Sequence, residues 1–207
     1  MENHMSGQRK LPQQERSREM VAKIIATAVK MLKKTDPDQI TTNAIAARAG
    51  VSKGSIYQYF ANKEELIHAA IEQLAAEQAP LIEDMLRSVT LEQPQDAMQA
   101  SIDILIDFTI ANRKLIRYVA DRPDYARTLE NASGLNATLL AMTTLHMAHY
   151  RDQYRHELSP RALAWLFFNM AVATTTRYIE SDDPIQLDEL RCGLKFASAG
   201  LLVGGPG

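Results

Sequence analysis

The chain has 207 residues, 46% of them hydrophobic and 23% charged, a balance that excludes intrinsic disorder and fits one or two globular domains. A single cysteine, Cys192, excludes an internal disulfide and a thiolate metal cluster, and only five of the nine glycines precede position 200, too few turn residues for a sandwich or barrel. The net charge of −2 hides an asymmetry: residues 1–65 hold 11 Lys/Arg against 7 Asp/Glu, and the remainder 12 against 18, as expected of a polyanion-binding segment ahead of an acidic body.

The longest uncharged apolar stretch, between Arg161 and Arg177, has fifteen residues. A membrane span needs about 20, so no membrane partner is expected. The N-terminus carries no apolar signal region, and a cytoplasmic location is expected. Residues 1–15 lack periodicity and read as a flexible tail, with Arg9, Lys10, Arg16 and Arg18 nearby as a basic arm. From Met20, Val21, Ile24, Ile25, Ala28, Val29 and Leu32 recur at helical spacing. Thr35-Asp36-Pro37 closes that helix.

Thr41 and Thr42 are N-cap candidates for a second helix through about Ala49, with Ile45 and Ala46 on its core face. Gly50 stands at a reversal suited to a left-handed residue. Ser52 then caps a third helix from Lys53 to Tyr59, backed by Ile56 and Phe60. Asn62-Lys63-Glu64-Glu65 is a further cap with a carboxylate at N3. The fourth helix carries Leu66, Ile67, Ala70, Ile71 and Leu74, and Pro80 is expected to kink or interrupt it. Beyond it, periodicity predicts helices over 95–112, 113–120, 135–157, 160–179 and 185–202. The fold class expected is all-α: a three-helix helix-turn-helix head over 16–66, and a helical ligand-binding and dimerisation bundle over 67–203.

Two short helices joined by Ala49-Gly50-Val51-Ser52 make a helix-turn-helix by spacing. A reading helix enters the major groove when its first turn lacks bulk and its back is apolar. Lys53-Gly54-Ser55 supply a cation, a residue with no side chain and a small hydroxyl. The unpaired N–H groups and positive dipole at the helix start suit a phosphate. Tyr57 and Tyr59 add hydroxyls that reach phosphate, and Gln58 an amide that reads a base edge.

Over Lys23 to Leu74 the chain resembles the N-terminal DNA-binding region of the TetR family of bacterial transcriptional regulators. The resemblance is carried by Thr41-Thr42 followed by Ile45-Ala46, by AGVSKGSIYQYF at 49–60 and by NKEEL at 62–66. It departs from the family at Pro37, where a glycine is more usual. It implies a homodimeric repressor on double-stranded DNA with a palindromic operator. By position it implies Thr41 and Thr42 on phosphates, Asn43 on a phosphate or base, and Lys53, Gly54 and Ser55 near base edges. Tyr57 and Tyr59 would meet phosphates, Gln58 a base or sugar, and Lys63 a further phosphate.

The body is read from its own residues. Met98, Ile102, Leu105, Ile106 and Thr109 share one helix side, and Asp96, Asp103 and Asp107 another, the latter expected as a solvated acidic face. Arg113, Lys114 and Arg117 read as helix-end cations. His146 and His149, with His156 one heptad on, would share one helix and do not close a metal site by themselves. His146, among Met142, Leu145 and Met147, is instead a candidate polar group in an apolar pocket. Phe168 and Asn169 lie in the most apolar stretch, 165–170, where Asn169 needs a partner. The effector-site candidates are therefore Ile102, Leu105, Thr109, Met142, His146, Phe168 and Asn169, with no metal and no cofactor.

The last two long helices, with Leu163, Leu166, Met170, Leu190, Leu194, Ala197, Leu201 and Leu202, are the expected dimer contact. No nucleophile–base pair, HExxH or phosphate loop points to an enzyme. The function expected is a repressor released from its operator by a small apolar or amphipathic effector. The alternative is a DNA-binding regulator or nucleoid-type protein with no small effector.

Overall fold

The computed structural model describes residues 13–89, 92–122, 125 and 134–202, and among them all regular structure is helical. The elements are α1 (Gln13–Leu32), a 3-10 turn (Pro37–Gln39), α2 (Thr42–Ala49), α3 (Lys53–Tyr57) and α4 (Lys63–Val89). These are followed by α5 (Pro94–Ala111), α6 (Arg113–Ala120), α7 (Leu135–His149), a second 3-10 turn (Arg151–Gln153), α8 (Pro160–Glu180) and α9 (Leu187–Leu202). Of the expected tail, residues 1–12 lie outside the described residues, and 13–15 form the start of α1.

The chain divides into two compact units at Gln73 and Leu74. In the first, Ile24 and Ala28 of α1, Ile45 of α2, Ile56 of α3 and Leu66 and Ile67 of α4 are fully buried. Each of the buried Ile and Leu side chains contributes about 1.5–3 kcal/mol of apolar burial, so these short helices are held by their shared core rather than by propensity. Local chemistry sets their ends. Thr41 Oγ1 accepts from the Ala44 N–H at 3.2 Å, and Ser52 Oγ from the Ser55 N–H at 3.0 Å. Asn62 Oδ1 accepts from the Glu65 N–H at 2.8 Å, while the Glu65 carboxylate takes the Ala61 N–H at 2.6 Å.

In the second unit α8 runs through the core. Leu163, Ala164, Phe167 and Ile179 pack with Ile102 and Ile106 of α5, Met147 of α7 and Leu190, Leu194 and Leu202 of α9. Ser159 caps α8 by accepting the Ala162 N–H, and Pro160 occupies its first turn.

Several expectations are corrected. The third helix is five residues long rather than seven, because its end tightens: the Ile56 carbonyl accepts from both the Tyr59 and Phe60 N–H groups. Pro80 does not interrupt α4. Proline has no N–H to give the Ala76 carbonyl one turn back, and Ala76 is exposed, where water can take that place. The helix expected over 135–157 stops at His149. Arg151 holds the chain in its new course by donating to the carbonyls of Arg155, His156 and Leu158, so His156 does not share a helix with His146 and His149.

Asp103 and Asp107 are paired across helices rather than left to solvent alone, although Asp107 remains exposed. Arg191 of α9 reaches both, at 2.6 and 2.7 Å, and Lys195 reaches Asp103 at 2.8 Å. Arg113 pairs with Asp183 at 2.7 Å, and Arg117 donates to the Ile179 carbonyl and to Asp182, tying α6 to the end of α8. Leu163, Leu190, Leu194 and Leu202, expected at the dimer contact, lie in the protomer's own core. The large apolar side chains that α8 and α9 leave exposed are Trp165, Leu166 and Phe196, the first 53% and the last 76% accessible, and Ala197 is exposed beside them in sequence.

Candidate nucleic-acid interface and internal cavity

Gly50 closes α2 at φ 63°, ψ 40°, the left-handed conformation that turns the chain at small steric cost only for glycine. Its N–H returns to the Ala46 and Ala47 carbonyls, and the Val51 N–H to Ala46, so the turn is anchored on α2 itself. The chain then enters α3 at a defined angle. Ile56 faces inward while Lys53, Gly54, Tyr57 and Gln58 are exposed. Gly54 is not required by the protomer's packing. A Cβ placed there would meet only Ser52 Oγ, at 3.7 Å, an ordinary contact. A glycine inside a helix costs about 0.5–1 kcal/mol relative to alanine, so the bare first turn is a stability loss with no internal cause.

The neighbouring side chains are held in place. Ser55 and Ser52 hydroxyls lie 2.8 Å apart. Thr42 is buried, with its hydroxyl 3.4 Å from that of Tyr57, which links the first turn of α2 to the last of α3. Lys53 Nζ stands 5.8 Å from the Tyr57 ring centroid. Tyr59 donates to Ser17 of α1 at 3.3 Å, and Lys63 Nζ to the Asp38 carbonyl at 3.0 Å. Thr41 and Asn43 are exposed at the start of α2. The ten residues expected on DNA thus fall into an open group around α3 and a group, Thr42, Tyr59 and Lys63, that bonds to the protein's own frame.

The second unit contains a cavity of about 340 Å³, open at one edge, lined by α4, α5, α6, α7 and α8. Ile102, Leu105, Thr109 and Phe168 line it, four of the seven side chains expected at an effector site. Asn169 does not. It is exposed, and its amide donates to the Trp165 carbonyl one turn back at 2.8 Å, which is the partner its setting required. Met142 is half-buried outside the lining. His146 borders a separate space of about 30 Å³, the size of one water, which shares Ser101, Thr143 and Phe167 with the larger cavity. The His146 ring packs 5.0 Å from that of Tyr150 and 6.1 Å from that of Tyr154. Burial, with Tyr150 adding to it, raises the Tyr154 phenol far above its ordinary value.

Sequence reading missed Ile82 and Leu86 of α4, and Phe108, Thr143 and Thr175. The i, i+4 pair 82 and 86 was a usable signal, obscured by treating Pro80 as a break.

A short exposed helix with a bare tip, set on an apolar back by a left-handed glycine, defines a helix-turn-helix DNA-binding protein. Residues 24–70 match the family described as bacterial regulatory proteins, tetR family. Over 97 residues it is 27% identical to the HTH-type transcriptional regulator YvaF of Bacillus subtilis strain 168, a match spanning 47% of this chain and half the length of that relative.

Solved structures share the fold over most of the chain. A TetR-family regulator from Pectobacterium atrosepticum superposes with a TM-score of 0.68 at 20% identity, covering 94% of this chain and 100% of that one. The FadR regulator of Bacillus subtilis, in complex with stearoyl-CoA, gives a TM-score of 0.59 at 18% identity, covering 86% and 97%. Among the described residues no helix is long and apolar enough to cross a membrane.

Proposed function

We propose that this chain is a homodimeric repressor whose two α3 helices bind the half-sites of a palindromic operator and are released when a small molecule fills the cavity of the second unit. The observation that carries this reading is the composition of α4. One helix begins with Lys63 beside the reading unit and ends with Ile82 and Leu86 in the cavity wall. A ligand that displaces those two side chains acts on the same rod that starts at the DNA-binding end.

Two-fold docking requires reading helices roughly 34–36 Å apart, one turn of DNA. A change of a few Å in that separation forfeits contacts on one half-site. A coupling of roughly 1–3 kcal/mol, about 5–150-fold in affinity, is enough for induction. On the DNA side, Lys53, Gly54, Ser55 and Gln58 approach base edges while Thr41, Asn43 and Tyr57 reach phosphates. Thr42, Tyr59 and Lys63 also lie beside the backbone and share their hydrogen bonds with the frame. The dimer forms through the exposed stripe of Trp165 and Leu166 on α8 and Phe196 on α9.

The experiment is selection of a duplex from a random pool, followed by a mobility shift with and without small-molecule extracts. A palindromic consensus released by an extract component is expected. A consensus without two-fold symmetry, or a complex that no extract dissociates, rejects the repressor mechanism and favours a regulator without an effector.

A further inference from the structure

The chemistry of the cavity wall restricts what enters it. Among the described residues that line it, none is charged. A carboxylate or phosphate buried there loses its water and gains no counter-charge, which excludes it far more strongly than any apolar contact compensates. The polar side chains in the wall are the hydroxyls of Ser101, Thr109, Thr143, Thr175 and Thr176 and the Asn136 amide, and three of the five hydroxyls donate to their own helices. Ser101 donates to the Ala97 carbonyl at 2.7 Å, Thr143 to Leu139 at 2.8 Å, and Thr175 is within 2.9 and 3.0 Å of the Ala171 and Val172 carbonyls. A hydroxyl has one proton and two lone pairs. With the proton spent on its own helix, each of these three presents only acceptor oxygen to a guest. Asn136, the amide among the described lining residues, is exposed and so sits at the open edge rather than inside.

We propose that the chamber selects an uncharged, mainly hydrocarbon molecule carrying a hydrogen-bond donor, of the alcohol or phenol class, over a fatty-acid anion of the same length. The inference rests on the cavity being the effector site and adds the class of effector. Ser101 and Thr143 are the acceptors assigned to the donor group, because they stand in the wall shared with the small space beside His146. Phe108, Phe168 and Leu105 surround the hydrocarbon.

Three probes of matched size separate the possibilities: 1-decanol, its isomer 1-methoxynonane, which accepts but does not donate, and decanoate at pH 7.5. Binding to the full-length protein is read by equilibrium dialysis and by the shift in Tm. Decanol is expected to bind tightest, the ether about fivefold more weakly, and decanoate about a hundredfold more weakly or undetectably. In the double variant Ser101→Ala with Thr143→Val the alcohol and ether should bind alike.

Decanoate binding as tightly as decanol, an ether equal to the alcohol, or no binding of any probe overturns the proposed class. Leu105→Trp, which fills the chamber, separates the two levels. If it abolishes binding of whichever probe wins, the chamber is the site even where the class is wrong. If it leaves binding unchanged, the chamber itself is not the site. Should Leu105→Trp fail to fold, protection of a diazirine-labelled decanol adduct on α5 and α8 by excess decanol gives the same decision.

Discussion

Arg191 donates to Asp103 at 2.6 Å across the α5–α9 contact and reaches Asp107 with its other terminal nitrogen at 2.7 Å. Burial alone would raise the Asp103 carboxyl, but the hydrogen bonds from Lys195 and Arg191 outweigh it and hold the group below the ordinary 3.8. A carboxyl depressed on folding adds stability above its unfolded pKa and loses it as pH falls through the folded value. The cluster should therefore stabilise fully above about pH 5 and fade below pH 4. The side chains are 26% to 70% exposed, so screening limits each pair to about 1 kcal/mol or less. Urea unfolding from pH 3 to 7 should show a steeper acid loss in the wild type than in Asp103→Asn, and the difference should shrink in high salt.

Gly54 offers a test in which stability and function move in opposite directions. With only Ser52 Oγ at 3.7 Å from an added Cβ, Gly54→Ala is accommodated by the protein. It should raise stability by about 0.5–1 kcal/mol. If the bare turn exists for close approach to a base edge, operator affinity should fall at least tenfold. A Tm increase with unchanged mobility-shift affinity would remove Gly54 from the interface.

Lys53 and Tyr57 contribute through different chemistry. Lys53→Ala should weaken binding on all sequences and lower the slope of log K against log salt by about 1. Tyr57→Phe removes a hydroxyl that lies 3.4 Å from Thr42, so it should reduce affinity with little change in that slope. If Lys53→Ala and Tyr57→Ala together leave operator affinity intact, α3 is not the reading helix.

Trp165 and Phe196 are large apolar groups left open on the two last helices. If the proposed dimer forms through this stripe, wild type should be dimeric and Phe196→Glu monomeric in light scattering at micromolar concentration, with helicity unchanged. DNA affinity should fall by orders of magnitude, because one half-site contact carries too little specificity alone. Trp165, the chain's single tryptophan, reports the same event, its emission moving to the red when the contact opens.

Much of the DNA-binding unit was legible before any coordinates, because its signals are local. Thr41, Ser52 and Asn62 each satisfy an N–H three residues ahead, Gly50 supplies the one left-handed turn, and Ile45 and Ile56 mark the buried faces. Such hydrogen bonds and periodicities close within one turn of chain, so the amino-acid string alone determines them. In the body, what mattered was decided across helices. Asp103 became an ion-pair partner only because α9 brought Arg191 beside it. Leu194 and Phe196 sit two positions apart on α9, yet one is core and the other open.

The cavity exists because five helices meet without filling the space between them, and Asn169 lies outside it, exposed and bonded to the Trp165 carbonyl. Helix type, caps and the reading turn were thus properties of the chain itself. Which faces meet, which charges pair and where space is left were decided by tertiary packing, since each depends on side chains tens of residues apart.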